Sequence, residues 1–175
     1  MRNIIEIITT GEEILSGITQ DTNFSWLCDS IYNHGLKVNY HQCVGDNLEH
    51  LINSLELASS RSNIVIFTGG LGPTDDDLTR LAASKFFNAK LIQNKKIEEK
   101  IKNIFKKRKR KYSNINRRQS FFPEGSKIID NPFGTADGFL IKKKNTSFYF
   151  FPGVPKELKI MIEKSLFKNF YKLIK

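Results

Sequence analysis

The chain has 175 residues and a formal net charge of +10, with 28 Lys and Arg residues against 18 Asp and Glu residues. This length predicts one domain over residues 1–175 with a substantial apolar core, and no apolar run is long enough for a membrane span or patterned as a signal peptide. The two cysteines lack metal-ligand spacing, so we expect reduced thiols, a cytoplasmic location and no membrane partner.

The first half of the chain predicts strands that alternate with helices. Residues 4–10 form a continuous apolar run, which is typical of a strand buried on both faces. Asn23 opens a helical pattern that Gly35 ends. Residues 36–44 predict a second strand and are followed by another helical pattern. Residues 64–67 then form a short apolar run that predicts a third, buried strand.

The second half predicts further helices and a strand hairpin. Residues 78–87 have apolar side chains at helical spacing, and a second apolar stripe follows on a cationic segment between residues 97 and 105. Residues 139–142 and 148–151 predict a pair of strands. Pro155 suits the first position of a last helix. We expect that helix to bury Leu158, Met161, Ile162, Leu166 and Phe170.

This alternation predicts an α/β fold, a three-layer α/β/α sandwich with a mostly parallel sheet. In such sheets ligands bind beyond the carboxyl ends of the strands. Four glycine-rich loops follow four candidate strands, at residues 10–11, 45–46, 69–74 and 152–155. Their convergence at one sheet edge predicts an active site.

The most informative of these loops is the stretch from residue 68 to residue 79, called the signature loop below. Its glycines are Gly69, Gly70 and Gly72. A glycine-rich turn before a helix presents unpaired backbone N–H groups to an anion such as phosphate. Three consecutive aspartates follow: Asp75, Asp76 and Asp77. Carboxylates hold a hard divalent metal that bridges to phosphate, whereas the structural alternative for one of them is a helix cap.

Acidic residues also follow the first two strands. Glu12 and Glu13 lie just past the first strand, and Asp46 lies just past the second. In a phosphate site, Glu13 or Asp46 would orient a water molecule as general base. Asp46 has a structural alternative, because Asp46 and Glu49 have the spacing of a capping box.

The positive charge is concentrated in one segment. Residues 106–111 form a continuous run of Lys and Arg. A run of this kind is typical of a solvated face, and its alternative is a nucleic-acid surface. Because much of the excess charge lies in the segment from Lys95 to Lys111 and the remainder is scattered lysine, we do not expect nucleic acid to be the main partner. The overall field favours small anions.

Several spaced motifs carry a family resemblance. They are residues 10–17, Asn23, residues 44–47, 68–77, 116–119, 123–125, 131–136 and 151–157. With these motifs the chain resembles the molybdopterin-binding (MoaB/Mog-like) domain family, and within it the N-terminal domains of the CinA type. The resemblance implies the same α/β/α fold and a homo-oligomer. Full-length CinA proteins carry a further C-terminal deamidase domain, which we expect to be absent from this chain.

The resemblance also implies a function. CinA-type domains are associated with metal-dependent hydrolysis of ADP-ribose and similar nucleotide diphosphates, so a nucleotide pyrophosphatase that acts on a phosphoanhydride is expected. The implied cofactor is a divalent metal (Mg, Mn or Co), and the implied partner is a small phosphorylated ligand. One alternative is a molybdopterin-binding or molybdopterin-adenylylating protein of molybdenum cofactor biosynthesis, as for Mog-type relatives. Another is a non-catalytic remnant that keeps the pocket.

Residue roles follow from the matched motifs. The expected catalytic residues are Asp76, Asp77, Asp46 and Glu13, and the expected metal ligands are Asp76, Asp77 and Asp75. The expected phosphate or nucleotide contacts are Thr10, Gly11, Asn23, Gly69, Gly70, Leu71, Gly72, Pro73, Thr74, Thr79, Gly134, Thr135, Pro152, Gly153 and Pro155. The sequence departs from the family pattern at Ser120, where alanine is common, and at Asp137, where proline is common.

Overall fold

The structure is a computed structural model, and it describes residues 3–168. The first elements in chain order are β1 (Ile5–Thr10), α1 (Glu12–Leu15), α2 (Thr22–Asn33), β2 (Val38–Val44), α3 (Leu48–Arg61), β3 (Ile64–Thr68), α4 (Thr79–Phe87) and β4 (Leu91–Gln93). They are followed by α5 (Lys95–Lys107), α6 (Asn114–Arg117), a 3-10 turn (Arg118–Ser120), β5 (Phe121–Pro123), β6 (Lys127–Ile129), β7 (Gly138–Lys143), β8 (Thr146–Phe151) and α7 (Pro155–Ile162), which continues as a π-helical turn (Glu163–Phe167).

The main sheet has six strands in the order β2-β1-β3-β8-β7-β6. The pairs β1–β2, β1–β3 and β3–β8 are parallel, whereas β7 runs antiparallel to both β8 and β6. The register pairs Thr10 with Val44, Thr9 with Thr68, and Thr68 with Phe151. The loops after these four parallel strands therefore begin at the same edge of the sheet.

Helices cover both faces of the sheet and form two apolar cores. Alternate residues of β3 divide between them, because successive strand residues point to opposite faces. Phe67 packs in the core that includes Leu51 of α3 and Ala82 of α4. Ile66 packs in the other core, which includes Leu27 of α2 and further residues of α7. The predicted three-layer α/β/α sandwich is confirmed.

The predicted hairpin and last helix of the second half are present in the structure, which also contains a small sheet that was not predicted. The predicted hairpin is confirmed, since Lys143 of β7 pairs with Thr146 of β8. Pro155 begins α7 as expected, and Leu158, Met161, Ile162 and Leu166 are buried. Phe170, the remaining predicted core residue, lies outside the described residues. The sequence did not predict the separate two-stranded antiparallel sheet of β4 and β5.

A buried carboxylate fixes β1 to its neighbours. Glu6 is fully buried and accepts hydrogen bonds from the Arg61 guanidinium, from Ser62 Oγ at 2.8 Å and from Gln42 Nε2 at 2.8 Å. Burial alone would raise the pKa of Glu6, but these hydrogen bonds outweigh it, so the pKa lies below the usual glutamate value.

Within residues 3–168 we find no helix with the length and apolar character needed to cross a membrane.

Candidate functional site

The loops after the four parallel strands enclose a cavity of about 550 Å³. Glu13 reaches it from the loop after β1, Asp46 from the loop after β2, and Gly153 from the loop after β8. The signature loop after β3 supplies its central wall. Gly134, in the connection between β6 and β7, lies on a further side. The predicted convergence of glycine-rich loops at one sheet edge is confirmed.

Most predicted site residues line this cavity. They are Thr10, Gly11, Glu13, Asn23, Asp46, Gly69, Gly70, Leu71, Gly72, Thr74, Asp76, Asp77, Gly134, Thr135, Pro152 and Gly153. Four predicted residues do not line it: Pro73, Asp75, Thr79 and Pro155. Lining the cavity places a side chain or backbone at the site and leaves its chemical role as a prediction.

Gly69 and Gly70 allow the signature loop to turn close to the end of β1. Gly69 and Gly70 have φ values of 109° and 61°, a region that disfavours residues with a Cβ. A Cβ at Gly69 would lie 2.6 Å from the Thr10 carbonyl oxygen. Thr79 holds the turn from behind, because its Oγ1 donates to the Gly69 carbonyl at 2.9 Å and its N–H donates to the Gly70 carbonyl at 3.2 Å. Thr79 is therefore a positioning residue of the loop.

The three aspartates of the signature loop have three different environments. Asp77 accepts hydrogen bonds from the N–H of Gly72 at 2.7 Å and from the N–H and hydroxyl of Thr74. Asp75 lies outside the cavity and pairs with Arg118. Asp76 lines the cavity, and its carboxylate makes no hydrogen bond or ion pair with the described residues.

The helix-cap alternative for these aspartates is wrong. The N-cap of α4 is Leu78, and no side chain caps that helix. The capping-box alternative for Asp46 is also wrong, because the side chain of Asn47 caps α3 by accepting from the N–H groups of Glu49 and His50. Asp46 instead accepts from Thr10 Oγ1, and Asp77 accepts from the Gly72 N–H of its own loop.

Asp46 and Glu13 differ in how they are engaged. Asp46 accepts from Thr10 Oγ1 at 3.0 Å and from the Glu12 N–H at 3.3 Å, and its own N–H donates to Glu12 Oε1 at 3.0 Å. This exchange ties the loops after β1 and β2 together. The carboxylate of Glu13 lines the cavity and makes no hydrogen bond or ion pair with the described residues. Of these two residues, Glu13 therefore has the less engaged carboxylate.

A buried amide, Asn23, and a further carboxylate, Glu157, also line the cavity. Asn23 Nδ2 donates to the Gly153 carbonyl at 2.7 Å and to Thr68 Oγ1 at 3.4 Å, which links α2 to the loops after β3 and β8. Glu157, in the first turn of α7, accepts from Asn131 Nδ2 at 2.7 Å. The Asn23 Oδ1 atom is buried and has no hydrogen-bond partner among residues 3–168.

Two cations act on the site, and the sequence analysis predicted neither. Arg80 is buried beneath the signature loop and donates to the Leu71 carbonyl at 2.8 Å. Burial lowers its pKa to about 10, against the attraction of Asp77 and Asp137, so it stays charged at neutral pH. Arg108, within the basic segment 106–111, lines the cavity and donates to the Phe133 carbonyl at 2.7 Å. Both charges favour an anionic ligand.

Other cavity residues were also missed. They are Thr9, Ile14, Thr68, Gln119, Ala136, Val154 and Glu157. Gln119 and Glu157 belong to matched motifs, so the resemblance contained a signal for them that carried no assigned role. Arg108 carried no site signal, because a basic run is usually solvated.

The described residues contain no group of three or more His, Cys, Asp and Glu side chains arranged to hold a metal ion. The metal roles predicted for Asp75, Asp76 and Asp77 stay predictions. Arg118 pairs with the Asp75 carboxylate, and the N–H of Gly72 in the signature loop donates to the Asp77 carboxylate. A Mg²⁺ site needs only one or two protein carboxylates when water and substrate phosphates supply the other ligands.

Comparisons with known proteins bear on this cavity. The sequence profile of a family described as a probable molybdopterin binding domain matches residues 6–171. A putative competence-damage inducible protein of Clostridium beijerinckii is 44% identical over 161 residues, which cover 92% of this chain and 39% of that protein. A CinA-like protein of Dictyoglomus thermophilum is 42% identical over 158 residues, which cover 90% of this chain and 38% of that protein. The chain thus spans well under half the length of these relatives.

Solved structures agree with the fold. The structure of CinA from Thermoplasma acidophilum superposes with a TM-score of 0.85 at 29% identity and covers 97% of this chain and 98% of that one. The molybdopterin biosynthesis enzyme MoaB from Thermus thermophilus superposes with a TM-score of 0.64 at 17% identity, covering 94% of this chain and 89% of that one. The second likeness concerns the fold alone.

Proposed function

The chain belongs to the probable molybdopterin-binding domain family, and from this membership we propose that its cavity hydrolyses a nucleotide diphosphate of the ADP-ribose class with a divalent metal ion. The observation that carries the proposal is that Asp76 and Glu13, whose carboxylates make no hydrogen bond or ion pair with the described residues, line the same cavity as the glycines of the signature loop. A phosphate-binding turn and available carboxylates at one sheet edge suit displacement at phosphorus.

The proposed roles follow from these contacts. Asp76, supported by Asp46, would hold the metal, and Asp77 fixes the loop that carries Asp76. When bound, a divalent metal neutralises phosphate charge and lowers the pKa of a coordinated water. Glu13 orients the attacking water and takes its proton. The water oxygen bonds to one phosphorus while the bridging P–O bond breaks, so the products are two monophosphates.

The cations of the site support an anionic substrate. Arg80 contributes a buried positive charge under the signature loop, where the low local dielectric strengthens its field. Arg108 contributes a second charge from the basic segment 106–111. Together they offset the repulsion that Asp76, Asp46 and Glu13 exert on a diphosphate.

The proposal is tested by incubating pure protein with ADP-ribose and Mg²⁺, Mn²⁺, Co²⁺ or EDTA, and following products by phosphorus NMR. We expect metal-dependent formation of AMP and ribose phosphate. Asp76→Asn should lower turnover at least about a hundredfold, the scale for losing one electrostatic stabiliser of a transition state. Asp29→Asn is the matched control, because Asp29 is exposed and does not line the cavity. Equal turnover of the Asp76→Asn variant and the wild type would refute the assignment.

A second candidate is a molybdopterin-binding or molybdopterin-adenylylating protein. The family match favours it, and the same glycine turn would receive the phosphate of the pterin. Tight binding of molybdopterin without turnover of ADP-ribose at any metal would select this candidate.

A further inference from the structure

Gln119 is a buried residue of the cavity whose carboxamide is unused. The residue is 2% exposed and lines the cavity from the 3-10 turn before β5. Its Oε1 atom is buried and has no hydrogen-bond partner in the described part of the chain, and its Nε2 atom donates to none of the described residues. A buried amide oxygen without a hydrogen-bond partner is unfavourable, so the contacts within the described chain do not explain a polar side chain at this position.

The neighbours of Gln119, and not its own polar group, hold it in place. The preceding residue, Arg118, forms an ion pair with Asp75 of the signature loop. The following residue, Ser120, accepts a backbone hydrogen bond from Asn94 at 2.8 Å. The turn is therefore anchored on both sides, and a fixed backbone places Gln119 in the wall of the cavity.

A comparison with Asn23 shows how unusual this arrangement is. Asn23 is the other buried amide of the cavity, and its nitrogen is already committed to Gly153 and Thr68. The described residues use neither the acceptor nor the donors of the Gln119 carboxamide. The diphosphate bridge of an ADP-ribose-like ligand is fully ionised at neutral pH and has no donor for the Gln119 oxygen, so that part of the ligand would leave the atom unpaired.

We propose that Gln119 reads the heterocyclic ring of the ligand and thereby determines specificity. An acceptor beside a donor pairs with a ring that carries an amine next to a ring nitrogen, the arrangement that Gln and Asn recognise on adenine. Adenine and the aminopyrimidine part of a pterin share this chemistry. The inference rests on the proposed function, since it assumes that the cavity takes a phosphorylated ligand.

The test measures dissociation constants by calorimetry, with Mg²⁺, for four probes. They are AMP, purine riboside monophosphate (the same nucleotide without the amine), neopterin monophosphate and inorganic pyrophosphate. Gln119→Met keeps the length of the side chain and removes its hydrogen bonds. Gln20→Met is the matched control, because Gln20 is exposed and does not line the cavity.

The wild type should bind at least one of AMP and neopterin monophosphate. Gln119→Met should weaken that binding about five- to hundredfold, the range for a lost bidentate base contact. Its affinity for pyrophosphate should match that of the wild type. Its affinity for purine riboside monophosphate should fall less than its affinity for AMP, because this ligand offers Gln119 only the ring nitrogen. Gln20→Met should change nothing. In the wild type, the side-chain amide NMR signal of Gln119 should shift with the amine-bearing ligand and stay in place with pyrophosphate, a readout that requires no folded variant.

Two results would overturn the inference, and they are distinguishable. If the wild type binds the nucleotide or pterin but neither the Gln119 amide signal nor the variant's affinity changes, Gln119 does not read the ring and the proposed function stands. If the wild type binds none of the four probes, the proposed function fails and this inference fails with it.

Discussion

Replacing Asp77 with asparagine should separate the structural role of this residue from a metal role. The Asp77 carboxylate accepts from the Gly72 N–H at 2.7 Å and from the Thr74 N–H at 2.9 Å, and it also accepts from the Thr74 hydroxyl. Asparagine keeps one acceptor oxygen for the Gly72 N–H and places its amide NH2 group towards Thr74. The hydrogen bond from the Thr74 N–H is therefore lost, and the hydrogen bond from the Gly72 N–H no longer has a charged acceptor.

The expected destabilisation follows from these contacts. A hydrogen bond to a charged group contributes about 1.5–3 kcal/mol. Thr74 is exposed, so water replaces part of its loss, whereas Gly72 is half-buried. Arg80 also loses the carboxylate that supports its charged form. We therefore expect the free energy of unfolding to fall by about 2–3 kcal/mol, which for a chain of this size lowers the melting temperature by roughly 4–12 °C.

The assay is urea unfolding in EDTA, so that no metal contributes. Asp76→Asn is the control, because its carboxylate makes no hydrogen bond with the described residues, and its stability should stay within about 0.5 kcal/mol of the wild type. If Asp77→Asn also stays within that range, the carboxylate does not organise the loop, and a role in binding metal is favoured instead.

Further predictions concern a glycine, a buried ion pair and the basic segment. Gly70→Ala should lower stability by about 1–3 kcal/mol in thermal unfolding, because Gly70 has a φ of 61° and no room for a Cβ. Glu6→Gln should lower the free energy of unfolding by about 1–3 kcal/mol at pH 7, because the charged hydrogen bonds to Arg61 are lost. Since folding lowers the Glu6 pKa, the difference from the wild type in urea titrations should shrink as the pH falls below the usual glutamate pKa. Arg108→Gln should weaken pyrophosphate binding and flatten its salt dependence in calorimetry, whereas Lys107→Gln, outside the cavity, should change both less.

Sequence patterns were sufficient for the parallel strands of the main sheet and for the edge that carries the site, whereas β6 was not predicted. Apolar runs such as residues 64–67 correspond to buried strands, and glycine-rich turns directly after such strands are typical of loops that approach a ligand closely. Parallel topology then places those turns together. Both the local patterns and the fold rules hold for this chain, so the position of the cavity follows from them.

Other features depend on contacts between distant residues, which no local pattern contains. Arg80 lies on a helix and has the sequence context of a surface cation, yet tertiary packing buries it under the signature loop. Asp137 departs from the family proline, and the structure gives it partners in Lys100 and the Asn131 N–H. Burial raises the pKa of Asp137 although both partners oppose this. Partners separated by tens of residues become visible only in the folded chain.

The pairing of Thr9 with Thr68 and of Thr68 with Phe151 makes the cavity sensitive to strand length. Inserting one residue within β3 would move the signature loop by about 3.3 Å along the strand. It would also exchange Ile66 and Phe67 between the two cores, because every side chain after the insertion changes face. The strand register thus determines where each loop begins, and the apolar side chains that fix this register also determine the relative positions of the carboxylates in the cavity.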